Sequence, residues 1–326
     1  MNEYSGVESA YAIGIVSHAR SDAVCEKTLA FLVGEGVDMS LVSIFVAPAE
    51  VTEYRRALRR HGLRVSVRNG ALGLNGNMYA CYAYYPSGTH LVIMSDGVCG
   101  LQVCEGGARR VCPSGVWGSL VCHAWELMDR EGVYMWGLCN GSSYMDEHKI
   151  SRKFGLVTGS IVGHRVCASR RYLFEHREDG VVWDLEHSLL TWSVDGVFLR
   201  YEMLVASYKF GQLGGHSRGM VERRRIEDVA IKRLASRYPR LITYQKKVLL
   251  RDAAKSRVQN YRIRAVGAGP LLMPARGYRG KAGVVARVGS GRRRKYFAGR
   301  ALNEAEKKRV QRVGGSMRQR IAALRR

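Results

Sequence analysis

The chain has 326 residues, 46% of them hydrophobic, and a formal charge of +24 from 52 Lys and Arg against 28 Asp and Glu. That is enough apolar material for a large core, and no run of 18 apolar residues exists that would span a membrane. The charge is uneven: residues 251–326 hold 22 Lys or Arg against three acids, so +19 of the total sits in the last quarter and +5 in the first 250 residues.

This division predicts two objects, an α/β body over residues 1–250 and a basic module over residues 251–326. The module must face a polyanion. Nucleic acid is the expected one, because phosphates spaced along a backbone reward many Lys and Arg at once through counterion release. The opening residues carry acids where a secretory leader needs positive charge, so an intracellular protein is expected. The eight cysteines include no C-x-x-C pair and read as small core residues of a reducing compartment. Cys99, Cys104, Cys112 and Cys122, followed by His123, leave a structural zinc as an alternative, although their spacing matches no common zinc pattern.

In chain order, Tyr11 to Ser17 is a short apolar run that predicts a strand, followed by helical spacing over Asp22 to Leu29 with Ser21 as the N-cap. Leu41 to Ala47 predicts a second strand, Glu50 to Arg60 a helix, Leu63 to Val67 a third strand, and Leu91 to Met94 a fourth, reached through Asn77 to Tyr85. Continuous apolar strands alternating with amphipathic helices predict a mainly parallel sheet covered on both faces. Ligands in such sheets bind beyond the carboxyl ends of the strands. That rule groups Ser17 to Arg20, Ala47 to Glu50 and Ser95-Asp96-Gly97 around one crevice. Asp96 ends a wholly apolar strand, so its carboxylate must meet a cation or a hydrogen-bond donor there. It reads either as an Asx turn closing the strand or as a ligand of Mg²⁺ or Mn²⁺ that carries a diphosphate.

The order of these segments resembles the GT-A glycosyltransferases, and within them the DNA-base glycosyltransferases associated with TET/JBP hydroxylases. The likeness runs over about residues 11–245. It is carried by Ile15 to Arg20, Val46 to Glu50 with Tyr54, Leu72 to Asn77, and His90 to Val98, then by Tyr134 to Leu138, Gly155 to Ser160, Trp183 to Glu186, Asp195 to Tyr201 and Gly214 to Arg218. The resemblance implies a GT-A-like, Rossmann-like fold and transfer of a hexose from a nucleotide sugar, a UDP-sugar by expectation, to the hydroxyl of a 5-hydroxymethylpyrimidine in DNA. It further implies donor contacts from Ser17, Arg20, Glu50, Asn77, Asp96 and Arg218, and a divalent cation on Asp96 with His216. The chain departs from the family's acidic cluster, having Ser95-Asp96-Gly97 with a single carboxylate, which weakens capture of the cation.

Glycosyl transfer expels a nucleoside diphosphate, so a cation must meet the growing charge on the leaving oxygen. The acceptor hydroxyl must lose its proton to a base. Asp184 is the first candidate and Glu186 the second, and both also fit as a cap or first-turn acids of the following helix. Tyr82, Tyr84, Tyr85 and Trp136 could stack on a base, but such aromatics usually pack a core. His18 reads as a turn histidine.

In the basic module, two β-prone runs flank Gly289-Ser290-Gly291, with a helix from about Asn303. This weakly resembles an AP2-type DNA-binding domain, with Arg279, Arg287, Arg293, Arg294 and Lys295 as candidate contacts. An unstructured cationic arm is the alternative. Three other functions stay open: a non-catalytic nucleic-acid binder on a decayed glycosyltransferase fold, a glycosyltransferase with a protein or glycan acceptor, and a nucleotidyltransferase.

Overall fold

The computed structural model describes residues 11–105, 108–139, 149–175, 178, 180–208, 220–245 and 261–263. The strands are β1 (Tyr11–Val16), β2 (Val42–Val46), β3 (Ser66–Asn69), β4 (His90–Ser95), β5 (Val98–Glu105), β6 (Ala108–Val111), β7 (Met135–Leu138), β8 (Ile150–Ser151), β9 (Ile161–Arg165), β10 (Leu199–Tyr201), β11 (Leu204–Tyr208), β12 (Ile242–Tyr244) and β13 (Tyr261–Ile263). The helices are α1 (Ser21–Val24), α2 (Ala30–Gly34), α3 (Val51–Arg60), α4 (Leu74–Tyr84), α5 (Val116–Glu131), α6 (Trp183–Asp195) and α7 (Met220–Arg237).

The central sheet has eight strands in the order β3-β2-β1-β4-β9-β7-β10-β8. Its first half is parallel, with β1 between β2 and β4. Strand β9 then runs antiparallel to both β4 and β7, and β10 returns parallel to β7. Side chains alternate across this sheet as the pleat requires. Ile13 and Ile15 of β1 and Val92 and Met94 of β4 face one core with α3 and α5. Val16, Leu91 and Ile93 face the other core, with α4, α6 and α7. A Cβ on Gly14 would lie 2.2 Å from Cys81 Sγ, so only glycine lets α4 close on β1. The chain is thus a GT-A-like α/β fold: a mixed, mainly parallel sheet with helices on both faces.

A second sheet, β11-β5-β6, is antiparallel and starts directly after Asp96-Gly97. The expected strand at Leu63 to Val67 forms three residues later, as β3, where Val67 is the strand's one buried side chain. Ser21 does not cap the first helix. Its hydroxyl donates instead to Glu53 Oε1 at 2.8 Å, and Arg20 stands at the cap position. Between α1 and α2 the helix widens to a π segment, Cys25–Leu29. Strand β13 pairs with β12, so body structure extends past the boundary expected at residue 250. The expected hairpin and helix of the basic module, with Arg279, Arg287, Arg293, Arg294 and Lys295, lie outside the described residues.

The eight cysteines form no disulfide with one another. His123 bonds the Tyr201 hydroxyl at 2.7 Å, and the described residues contain no group of three or more His, Cys, Asp or Glu able to hold a metal ion. The zinc alternative therefore finds no site there. No helix among the described residues is long and apolar enough to cross a membrane.

Candidate active site

The crevice forms where β1, β2 and β4 end. Asp96 follows β4 and is only 5% exposed. Its two oxygens are both engaged: Ser17 Oγ donates to Oδ2 at 2.7 Å, and Arg20 Nη1 to Oδ1 at 3.3 Å. Ser17 Oγ also lies 2.6 Å from the Tyr54 hydroxyl, which accepts the Arg20 N–H at 3.0 Å. Burial holds the Tyr54 hydroxyl well above its ordinary pKa, so it stays protonated and serves as a fixed dipole. Serine and arginine thus replace the water that a carboxylate loses on burial, and Tyr54 fixes both of them.

The β1 to α1 loop reaches this geometry through a strained residue. Ala19 has φ +52°, left-handed backbone that a side chain disfavours. Glu50 holds it there, since Oε1 accepts the Ala19 N–H at 2.8 Å and lies 3.0 Å from His18 Nδ1. Asn77 works in the same way from below: Nδ2 donates to Phe45 O at 2.7 Å and Ser17 O at 3.3 Å, tying the ends of β1 and β2 together. Glu50 and Asn77, expected as donor contacts, also hold the walls of the crevice. Ser17, Arg20 and Asp96 converge as expected. Arg218 and His216 lie outside the described residues.

Across the crevice, Ser95 N–H donates to Ser160 O at 3.0 Å, joining β4 to the segment before β9. Gly159 of that segment packs under Trp183 and Asp184 at the start of α6. The Tyr208 hydroxyl lies within hydrogen-bonding reach of Ser95 and Ser160 and feels the charges of both Asp96 and Asp184. Burial keeps that phenol protonated. A Cβ on Gly97 would stand 3.0 Å from two Tyr208 ring carbons, so the Asp96-Gly97 turn leaves room for the ring.

Asp184 is half-buried, and burial pushes its carboxyl up to about 6. Its Oδ1 accepts the Leu185 N–H at 2.9 Å. Val182, without a side-chain bond, is the N-cap, so Asp184 is a first-turn acid rather than the cap. Glu186 is a different case. It is 1% exposed, accepts the Glu178 N–H at 3.0 Å and pairs with Arg237 at 3.1 Å. Residues two apart on a helix point about 200° apart, and Glu186 is held in an ion pair away from the crevice. Its assignment as an alternative base is corrected to a structural one.

Both Asp96 oxygens already take donors, and the described residues contain no group of three or more His, Cys, Asp or Glu that could hold a metal ion there. These residues by themselves do not fit Mg²⁺ or Mn²⁺, and the cation that meets Asp96 is the Arg20 guanidinium. Of the aromatics, Tyr82 and Trp136 are core residues. Tyr85 packs on Phe45, and Tyr84 is 49% exposed under the Arg68 guanidinium. The eight-stranded order and the turn at Asp96 define the class as an α/β protein of GT-A-like fold with its crevice at the strand ends.

Neither a protein-family model nor a curated protein sequence matches the chain. Among solved structures it is similar to a 4-diphosphocytidyl-2C-methyl-D-erythritol synthase from Anaerococcus prevotii, at 7% identity over 51% of this chain and 76% of that one, with a TM-score of 0.31. It is also similar to the inositol-1-phosphate CTP transferase from T. maritima, at 10% identity over 68% of this chain and 97% of that one, with a TM-score of 0.36. At such scores the fold class rests on the sheet order and registers described above.

Proposed function

We propose that the chain is a nucleotide-sugar-dependent glycosyltransferase that moves a hexose, from a UDP-sugar, to the hydroxyl of a 5-hydroxymethylpyrimidine in DNA. One observation supports this reading: a buried carboxylate at the end of β4, met by Ser17 and Arg20, and a second carboxyl, Asp184, both act on the buried Tyr208 phenol and help hold it protonated.

In this scheme Arg20 supplies positive charge where the diphosphate leaves, and Asp96 fixes the guanidinium in place. Asp184 takes the acceptor proton. With a carboxyl pushed up to about 6 it is mostly ionised at neutral pH, yet more basic than an ordinary aspartate, which suits a general base. The C–O bond from sugar to diphosphate breaks as the acceptor oxygen forms its bond to the anomeric carbon. The proton ends on Asp184. A divalent cation, if one joins the site, would supply further charge on the diphosphate. The +19 of residues 251–326 supports a nucleic-acid acceptor by raising its local concentration.

A second reading, a non-catalytic nucleic-acid binder, is favoured by the closure of Asp96 onto Arg20. Incubation with a panel of nucleotide sugars and hydroxymethylated DNA, scored for free nucleoside diphosphate, separates the two. Release that requires the DNA supports transfer. Release of pyrophosphate from nucleoside triphosphates would assign a nucleotidyltransferase instead, and no release with any donor would leave the binder.

A further inference from the structure

Helix α3 and the segment after it, through β3, carry six arginines, Arg55, Arg56, Arg59, Arg60, Arg64 and Arg68, against one acid, Glu53, whose carboxylate is occupied by the Ser21 hydroxyl. The inward face of α3 is apolar: Val51, Tyr54, Ala57 and Leu58 are buried in the core. The outward face is set by the helical period, and Arg55, Arg56, Arg59 and Arg60 are all exposed on it. Arg60 pairs with Asp22 at 2.6 Å, and Arg68 lies over the Tyr84 ring. Arg55, Arg56, Arg59 and Arg64 make no side-chain ion pair or hydrogen bond with any described residue.

Four unneutralised guanidinium groups on one short surface repel one another, and an ordinary solvated helix face would intersperse acids among them. The repulsion is relieved when an anion with repeated charges lies across the face. We infer that the outer face of α3 is a docking surface for the phosphate backbone of duplex DNA, separate from the basic module of residues 251–326. Arg55 and Arg59 stand about 6 Å apart along the helix axis, at the rise of a four-residue step, within the range over which guanidinium groups engage successive phosphates. The position is also apt. The N-cap of α3, Glu50, holds the β1 to α1 loop at Ala19, so the arginine-bearing helix starts at the edge of the crevice. An anionic membrane is the poorer partner, because the exposed residues of α3 are Thr, Glu and Arg, with no apolar side chain to enter a bilayer.

The choice of DNA rests on the acceptor proposed above, but the binding is independent of catalysis. The test is fluorescence anisotropy of the full chain on a labelled unmodified duplex, titrated at several KCl concentrations, for wild type and for the triple variant Arg55→Gln, Arg56→Gln, Arg59→Gln. Each phosphate contact contributes about 0.9 to the slope of log K against log salt, so the variant slope is expected to be shallower by about 2.7. A change smaller than about one unit, with wild type binding steeply, overturns the inference while leaving the DNA acceptor intact. Failure of wild type to bind the duplex overturns both. Binding to phosphatidylserine vesicles that the variant loses, with its DNA slope unchanged, assigns the face to membranes and also overturns it.

Discussion

Asp184 provides the sharpest quantitative prediction. Burial raises its carboxyl from 3.8 to about 6, a change of about two units and so an upper bound of about 3 kcal/mol. The residue is only half-buried, which brings the expected value to about 1–3 kcal/mol. The sign follows from linkage. Between pH 3.8 and 6 the folded protein holds a proton that the unfolded chain has released, so the contribution of this group falls as pH rises through that window. At pH 7.5 the ionised Asp184 therefore destabilises the fold. Asp184→Asn keeps an oxygen acceptor for the Leu185 N–H and carries no charge to bury. The variant should be more stable than wild type at pH 7.5 by about 1–3 kcal/mol, a rise in Tm of roughly 2–5 °C for a chain of this size. The gain should shrink as pH falls from 6 toward 4. In the same variant, transfer should drop about 10²–10⁴-fold through loss of the base. Urea unfolding at pH 7.5 and 4.5, with turnover measured in parallel, tests both. A variant no more stable than wild type at pH 7.5, or a difference that ignores pH, would refute the assignment of a buried, proton-holding carboxyl.

Three further outcomes are expected. Arg170 and Asp195 form an ion pair with both side chains buried, so Arg170→Met should cost about 3–5 kcal/mol in urea unfolding, and adding Asp195→Leu should restore much of it; a double variant no better than the single would count against the pairing. Gly97→Ala presses a methyl group on the Tyr208 ring and should lower turnover at least about tenfold by misplacing the groups around it, with little change in Tm; unaltered turnover would remove Tyr208 from the site. Because Arg20 is the cation that meets Asp96, Arg20→Met should slow transfer more than EDTA does, and the reverse order of effects would restore the metal to first place.

The parts of the fold legible in the sequence were those where one physical signal dominated. β1, β2 and β4 lie inside the sheet, buried on both faces, so their apolar runs are continuous and their limits fall within a residue or so of expectation. β3 is an edge strand with one neighbour, and its position follows the register Ile44 to Val67 rather than its own composition. The π segment carried no sequence signal. It turns Thr28 Oγ1 to within 3.0 Å of Ser95 O and 3.1 Å of Val98 O, a contact across nearly 70 residues. The convergence of Ser17, Arg20 and Asp96 was legible because strand ends of a parallel sheet gather on one edge. Glu50 and Asn77 belong to the same edge, yet their side chains satisfy the backbone groups of the loops, and only the three-dimensional path of those loops decides that. Tyr208 was not foreseen. It reaches the crevice because β11 pairs with β5 and the register shifts between Ser207 and Tyr208, a pairing that links positions more than a hundred residues apart. Glu186 was misjudged because its partner, Arg237, lies on a helix half a hundred residues further on.

Transfer of a sugar to DNA at the crevice around Asp96 is the proposal on which the other expectations depend. Mass spectrometry of nucleosides from 5-hydroxymethylpyrimidine DNA, after incubation with the protein and a panel of nucleotide sugars with and without manganese, addresses it most directly, with Asp96→Ala alongside. The account predicts a hexose-sized mass gain on the modified pyrimidine that vanishes in the variant while DNA binding is retained. No gain with any donor, or a gain that Asp96→Ala leaves unchanged, would contradict it.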